Sequence, residues 1–228
     1  MKKMETDDVI EQLKRVSKPS SLPGMKRFGI HIEHALGVSI PELRKLAKKI
    51  GRNHVLAQRL WATRIHEARI LAAMIDDPSK VTAKQMDNWV RDFDSWDLCD
   101  QCCMNLFDKT LFAYRKALSW SQRKEEFVKR AGFALMACLA VHDKRASNEP
   151  FEKFLVAIER ESYDDRNFVM KAVNWALRQI GKRNRRLNRS AVKKAKEIQR
   201  HGYSKSAKWI ASDAIRELTD PRILRTLR

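Results

Sequence analysis

Apolar residues recur every three to four positions along almost the whole chain, which is the period of amphipathic α-helices. The segment from Ser39 to Gly51 shows the boundary signals most fully, with an N-cap residue, an early proline, an acidic first turn and a closing glycine. The same pattern predicts further helices near residues 5–15, 25–36, 54–62, 65–75, 82–92, 95–107, 110–120, 122–142, 149–161, 165–181, 189–201 and 204–218. We therefore predict an all-α fold.

Weak internal repetition organises these helices. Small-residue-rich apolar segments begin at residues 66, 96, 129, 171 and 208, and their spacing is typical of paired-helix repeats. The chain has only 7 Gly and 6 Pro in 228 residues, too few for the many turns of an all-β protein, and no linker divides it. These features predict a single domain over residues 1–228, built as a C-shaped helical-repeat solenoid with a basic concave face. An irregular α-bundle is the alternative.

Positive charge is concentrated in one part of the sequence. The net charge is +19, and residues 171–210 hold thirteen Lys and Arg against one acidic residue, Glu197, which leaves +12 in that segment. Such self-repulsion is tolerated when a polyanion supplies the opposite charge, so the segment favours nucleic-acid binding. A membrane surface is a weaker alternative, because no segment combines this charge with a wide apolar face.

The cysteines and the chain start indicate a reducing compartment. Residues 1–15 are charged throughout and lack the apolar core of a secretory signal, and no apolar run is long enough to span a membrane. Cys99 and Cys102 are spaced C-x-x-C, but no second Cys or His pair completes a zinc site. We therefore expect buried free thiols, no metal, no cofactor and a cytoplasmic protein.

The segment from Asp94 to Cys103 contains the clearest candidate chemistry. Ser95 is placed as a helix N-cap, and Asp97 sits where negative charge favours the helix N-terminus, so Asp97 is predicted to be structural. Asp100 instead falls in an otherwise apolar stripe formed by Trp96, Cys103 and Phe107. Burying a carboxylate there is costly unless the carboxylate is paired or has a function. A structural salt bridge between Asp100 and Arg130 is the alternative to a catalytic role.

Two later residues occupy comparable positions in the repeat. Arg130 on an inner helix would be a natural phosphate ligand, because its planar fork of donors matches phosphate oxygens. Trp175 is either ordinary core packing or an aromatic face directed at a cation. We find no phosphate-binding glycine loop, H-E-x-x-H pattern, G-x-S-x-G elbow or helix-hairpin-helix motif.

The chain resembles the AlkD-type DNA alkylation-repair glycosylases, which are built of HEAT-like repeats. The resemblance rests on an ordered set of segments that covers most of the chain: 37–48, 60–72, 75–78, 95–101, 127–131 and 165–178. It implies a HEAT-like fold and a DNA glycosylase that removes 3- and 7-alkylpurines from duplex DNA in base-excision repair.

The resemblance also assigns residues. It implies that Asp100 is the catalytic carboxylate and that Trp96 and Trp175 are the aromatic residues that contact the lesion. It further implies that backbone phosphates are bound by Arg130 (or its neighbour Lys129) and Arg178. We also expect three lysines to bind DNA: Lys182, Lys171 and Lys144. We expect a monomer that acts on duplex DNA containing alkylated bases.

The implied mechanism exploits the positive charge of an alkylated purine, which makes the base a good leaving group. Asp100 would stabilise the oxocarbenium-like sugar and orient a water molecule. Most glycosylases flip the target base into a pocket, whereas the resembling family is thought to act on the unflipped nucleotide. Two other functions compete with this one: a non-catalytic HEAT-like scaffold or DNA-structure binder, and a protein–protein adaptor.

Overall fold

The computed structural model describes residues 4–202 and 204–227, and its described residues contain α-helices and short 3₁₀ turns but no β-strand. The predicted all-α fold is thus confirmed. The chain divides into two compact units, residues 1–110 and 111–228. The prediction of a single domain over 1–228 stays a prediction. None of the described helices is both long and apolar enough to cross a membrane.

The first unit contains seven α-helices within its described residues. They are α1 (Thr6–Arg15), α2 (Leu22–Arg27), α3 (Ile40–Ile50), α4 (His54–Ala62), α5 (His66–Ile75), α6 (Ala83–Arg91) and α7 (Trp96–Asn105). Nearly every residue of α5 is buried, and this helix packs against α3, α4 and α7. An aromatic layer joins α4 to α6, where the rings of Trp61 and Trp89 stack with centroids 3.9 Å apart. The buried side chains of α5 thus form the core of the first unit, against which α7 packs.

The prediction of a helix over 25–36 is wrong beyond Arg27. Gly29 has a φ of 78° and Gly37 a φ of 75°, which is left-handed backbone that a helix cannot contain. The buried carboxylate of Glu67 accepts hydrogen bonds from the backbone N–H groups of residues 36, 37 and 38, at 2.8, 2.7 and 3.2 Å. These backbone groups therefore bind a side chain from α5 instead of forming a helix, and the sequence around 25–36 contains no sign of that distant partner.

The second unit contains the remaining seven α-helices within its described residues. They are α8 (Ala113–Trp120), α9 (Glu126–His142), α10 (Glu149–Glu161), α11 (Asn167–Gly181), α12 (Arg185–His201), α13 (Lys205–Leu218) and α14 (Pro221–Thr226). The main pairing is between α9 and α11, and α8 lies close to α9 at Gly132. Buried amides connect later helices: Asn174 donates to the carbonyl of Ile210, and Asn188 donates to the carbonyls of Gly181 and Leu218. These bonds fix α11, α12 and α13 relative to one another.

Candidate functional site

A buried ion pair fixes the N-terminal end of α7. His66 begins α5 and is 5% exposed, and its Nε2 lies 2.8 Å from Oδ2 of Asp97. Burial alone would lower the pKa of His66, but the hydrogen bond and negative charge of Asp97 outweigh burial, so this pKa lies above its ordinary value of 6.5. Burial likewise works against ionised Asp97, yet the bond to His66 holds the pKa of Asp97 below 3.8. Asp97 is therefore an anchor that joins α7 to α5.

Trp96 and Asp100 lie on the same face of α7, because four residues separate them. Both side chains are only partly buried. The indole N–H of Trp96 donates to the carbonyl oxygen of Phe28 at 2.9 Å, which fixes the ring at the end of α2. The first unit thus presents a held aromatic ring and a carboxylate one helical turn apart.

The predicted residues of the second unit include one stripe along α11. Lys171, Trp175, Arg178 and Lys182 follow one another at intervals of four, three and four residues, so they share a face of the helix. Lys171 is exposed and Trp175 is partly buried.

Further along this stripe, the cations are bound to a carboxylate of α13. Nη1 of Arg178 lies 2.5 Å from Oε2 of Glu217, and Nζ of Lys182 lies 2.5 Å from Oε1 of the same residue. Asp213 adds a longer contact, 3.6 Å from Nε of Arg178. A phosphate that bound Arg178 or Lys182 would therefore have to compete with Glu217.

The remaining predicted phosphate ligands differ in accessibility. Arg130 is 5% exposed, and its Nη1 donates to the carbonyl of Phe168 at 2.6 Å. The neighbouring Lys129 binds Glu161 at 2.5 Å and Asp164 at 3.1 Å. Lys144, just beyond α9, is exposed. The choice between Lys129 and Arg130 as a DNA ligand stays a prediction.

Sequence reasoning missed a polar cavity in the first unit. Its volume is about 510 Å³, and its walls include Glu33, Arg69, Asp92 and Asp94. The buried guanidinium of Arg69 donates to the backbone and carboxylate of Asp92 and lies 5.2 Å from the ring centroid of Trp61. The available signal was the unusual pattern of α5, which begins with His66, Glu67 and Arg69 among small apolar residues and buries all three.

The cysteines are buried free thiols, as predicted. Burial raises the pKa of Cys102 well above its ordinary value, which disfavours the reactive thiolate. Within residues 4–202 and 204–227, no group of three or more His, Cys, Asp or Glu is arranged to hold a metal ion.

Comparisons with known proteins identify the family. A solved structure described as "A new family of proteins related to the HEAT-like repeat DNA glycosylases with affinity for branched DNA structures" matches with a TM-score of 0.78 and 22% sequence identity, over 93% of this chain and 95% of that chain. No curated protein matches significantly. The likeness to the solved structure shows that the fold is of the HEAT-like type, as predicted. The family described as DNA alkylation repair enzyme matches residues 9–218. This confirms the family resemblance: the chain belongs to the DNA alkylation repair enzyme family.

Proposed function

We propose that this protein is a DNA glycosylase that hydrolyses the N-glycosidic bond of 3- and 7-alkylpurines in duplex DNA. The observation that carries the proposal is the pairing of Trp96 and Asp100 on α7, one turn apart and both partly exposed. Membership of the DNA alkylation repair enzyme family supports the choice of substrate.

Asp100 is suited to the chemical step by its position on α7, on the same face as Trp96. Two carboxylates lie near the start of α7. Asp97 is bound to His66, and Asp100 lies on the face of α7 that it shares with Trp96. As the glycosidic bond breaks, positive charge develops on the sugar, and a fixed carboxylate stabilises that charge more than it stabilises the substrate. Asp100 would also orient the attacking water. The alkylated base needs no strong acid to leave, because it already carries positive charge.

Trp96 would hold the lesion-bearing nucleotide. Its indole N–H is occupied by the Phe28 carbonyl, so its ring cannot rotate freely and can present a preorganised face to a cationic base or sugar. Trp175 on α11 is proposed to be a second aromatic residue that contacts the lesion, by analogy with the family.

The DNA backbone would first be bound by cations that have no carboxylate partner to displace. Lys171 and Lys144 are exposed and have no ion pair with the described residues. Arg178 and Lys182 would join them by exchanging Glu217 for phosphate. Such an exchange costs less than leaving a partly buried cation unpaired, because each cation exchanges one anionic partner for another.

A second candidate function is the binding of unusual DNA structures without base excision. It is favoured by the solved relative, which is described as having affinity for branched DNA structures. Under this alternative, Asp100 is a structural residue and the cations bind the DNA backbone.

The deciding experiment compares Asp100→Asn with wild-type protein on methylated duplex DNA, by chromatography of the released 3- and 7-alkylpurines. We expect excision of 3-alkyladenine to fall by roughly a hundred- to a thousandfold, because one preorganised charge is lost. The loss should be smaller for 7-alkylguanine, which departs more readily. DNA affinity should be unchanged.

Asp97→Asn is the matched control, since it neutralises a carboxylate three residues away on the same helix. It should lower stability while the folded protein still excises bases. If wild-type protein releases no base, the structure-binding function is the correct one. If Asp100→Asn excises at the wild-type rate, Asp100 is not the catalytic carboxylate.

A further inference from the structure

A row of four cations follows one face of α12. At 3.6 residues per turn these positions fall within about 60° of one another and extend over about 16 Å. The row, called here the α12 cation row, consists of Arg189, Lys193, Lys196 and Arg200. All four side chains are exposed. They therefore form one continuous positive surface.

The α12 cation row faces away from α11. Ala191 and Ala195 lie on the buried face of α12. A Cβ built on Gly181, the last residue of α11, would be 3.1 Å from the Cβ of Ala191. Helical geometry puts Ala191 nearly opposite the centre of the row. The row and the α11 stripe of predicted DNA ligands thus belong to different surfaces of the second unit.

The described part of the chain neutralises little of the charge of the row. None of its four members has an ion pair there. The single acidic residue of α12, Glu197, binds Lys194 at 2.8 Å and acts on Lys193 and Arg200 only through longer-range attraction. Arg178 on α11 and Lys182, which directly follows α11, are by contrast both held by Glu217. Four adjacent unpaired cations repel one another, and a polyanion relieves that repulsion.

The row also borders a cleft beside α14. The cleft has a volume of about 810 Å³ and lies between α12, the end of α13 and α14. Its wall includes all four cations together with the aliphatic residues Val192, Leu218 and Leu224, and none of its described lining residues is aromatic. Single strands are usually held by bases stacked on aromatic rings, so this surface suits the phosphates of a duplex better.

We propose that the α12 cation row is a second phosphate-binding surface that takes a duplex segment of DNA. It rests on the proposed function only in taking DNA as the ligand, and it does not require base excision. Together with the α11 stripe, it would let one protein molecule bind two duplex segments, either the arms of a branched molecule or two separate duplexes.

The test replaces all four members of the row with Gln, which keeps helix propensity and removes the charge. Binding to a four-way DNA junction is followed by fluorescence anisotropy across a series of salt concentrations. Each phosphate contact contributes about 0.9 to the slope of log affinity against log salt, so the slope should fall by about 3.6. Between about 50 and 200 mM salt, wild-type protein should therefore lose roughly a hundredfold more affinity than the variant loses.

A control variant with the same change in net charge separates position from total charge. It replaces two exposed lysines and two exposed arginines on other helices with Gln: Lys14, Lys84, Arg91 and Arg115. Its slope should stay close to that of wild-type protein. Two half-variants should each show about half of the slope change expected for the full variant. One combines Arg189→Gln with Lys193→Gln, and the other combines Lys196→Gln with Arg200→Gln. They keep the test valid if the full variant misfolds.

Excision from a short alkylated duplex is measured on the same samples. If no protein excises bases but the row variant still loses its slope, the glycosylase proposal fails and this one stands. If the row variant and the control variant have equal slopes, the second phosphate surface is wrong. If the row variant loses binding to polyglutamate but its binding to DNA is unchanged, the proposal is likewise wrong, and the surface is assigned to an acidic protein.

Discussion

The ion pair between His66 and Asp97 connects the stability of the first unit to its candidate catalytic helix. The pair joins the start of α5 to the start of α7, with His66 5% and Asp97 15% exposed at the side chain. The Asp97→Asn substitution keeps the size of the side chain but removes its charge. His66 must then stay charged without its partner or lose its proton within the core.

The size of the effect follows from this burial. A hydrogen bond to a charged group contributes about 1.5–3 kcal/mol, and the nearly buried position of His66 limits solvent screening, so we expect a loss of about 2 kcal/mol. For a chain of this length that corresponds to a fall in Tm of roughly 4–8 °C. Thermal and urea unfolding followed by circular dichroism would measure it.

The pH dependence has a defined sign. The pKa of His66 is raised on folding, so its contribution is complete below 6.5 and is lost as pH rises through the folded pKa. The pKa of Asp97 is lowered on folding, so its contribution is complete above 3.8 and is lost as pH falls through the folded pKa. The stability difference between wild-type protein and Asp97→Asn should therefore be largest between these two values and smaller in alkaline solution.

A double-mutant cycle with His66→Gln isolates the pair. The two single substitutions should cost more together than the double substitution does, by about 1–2 kcal/mol in mildly acidic solution. A stability difference that does not change with pH, or a coupling energy of zero, would refute the argument that the charged pair anchors α7.

Two further predictions concern the second unit. Replacing Glu217 with Gln removes the carboxylate with which phosphate would compete for Arg178 and Lys182, so DNA affinity measured by anisotropy should rise. An affinity no higher than that of wild-type protein would mean that neither cation contacts phosphate. The Gly132→Ala substitution would stabilise an open helix by roughly 1 kcal/mol, but here the new Cβ would lie 2.4 Å from the backbone nitrogen of Ser121, so we expect a loss of about 2 kcal/mol or more in urea unfolding. A Gly132→Ala protein as stable as wild type would show that α8 can move away from α9.

The sequence predicted the helices wherever local signals set their boundaries. Ser39 and Gly51 stand immediately before and after α3, as the cap signals indicate. The start of α12 was placed at residue 189, but the helix begins at Arg185, because Asn184 caps it through a hydrogen bond from the N–H of Leu187. That cap was visible in the sequence, but the run of basic residues around it hid the apolar period.

Boundaries set by distant residues were not predictable in this way. The helix predicted over 25–36 fails because Glu67, thirty residues later, binds the backbone at 36–38. The partner of Asp97 likewise lies far away in the sequence. The sequence predicted a structural role for Asp97, but only the fold shows that its partner is His66. The catalytic role of Asp100 stays a prediction.

A count of charged residues in the sequence does not show which cations remain unpaired after folding. The segment 171–210 carries +12, and in the sequence Arg178 and Arg189 look equally available to DNA. That segment ends just before Glu217, which folds back onto α11 and pairs with Arg178. No described carboxylate does the same for Arg189. Phosphate affinity depends on the charge that remains unpaired after folding. Most of the exposed cations of this segment lie on α12, whereas the family resemblance assigns Arg178 on α11.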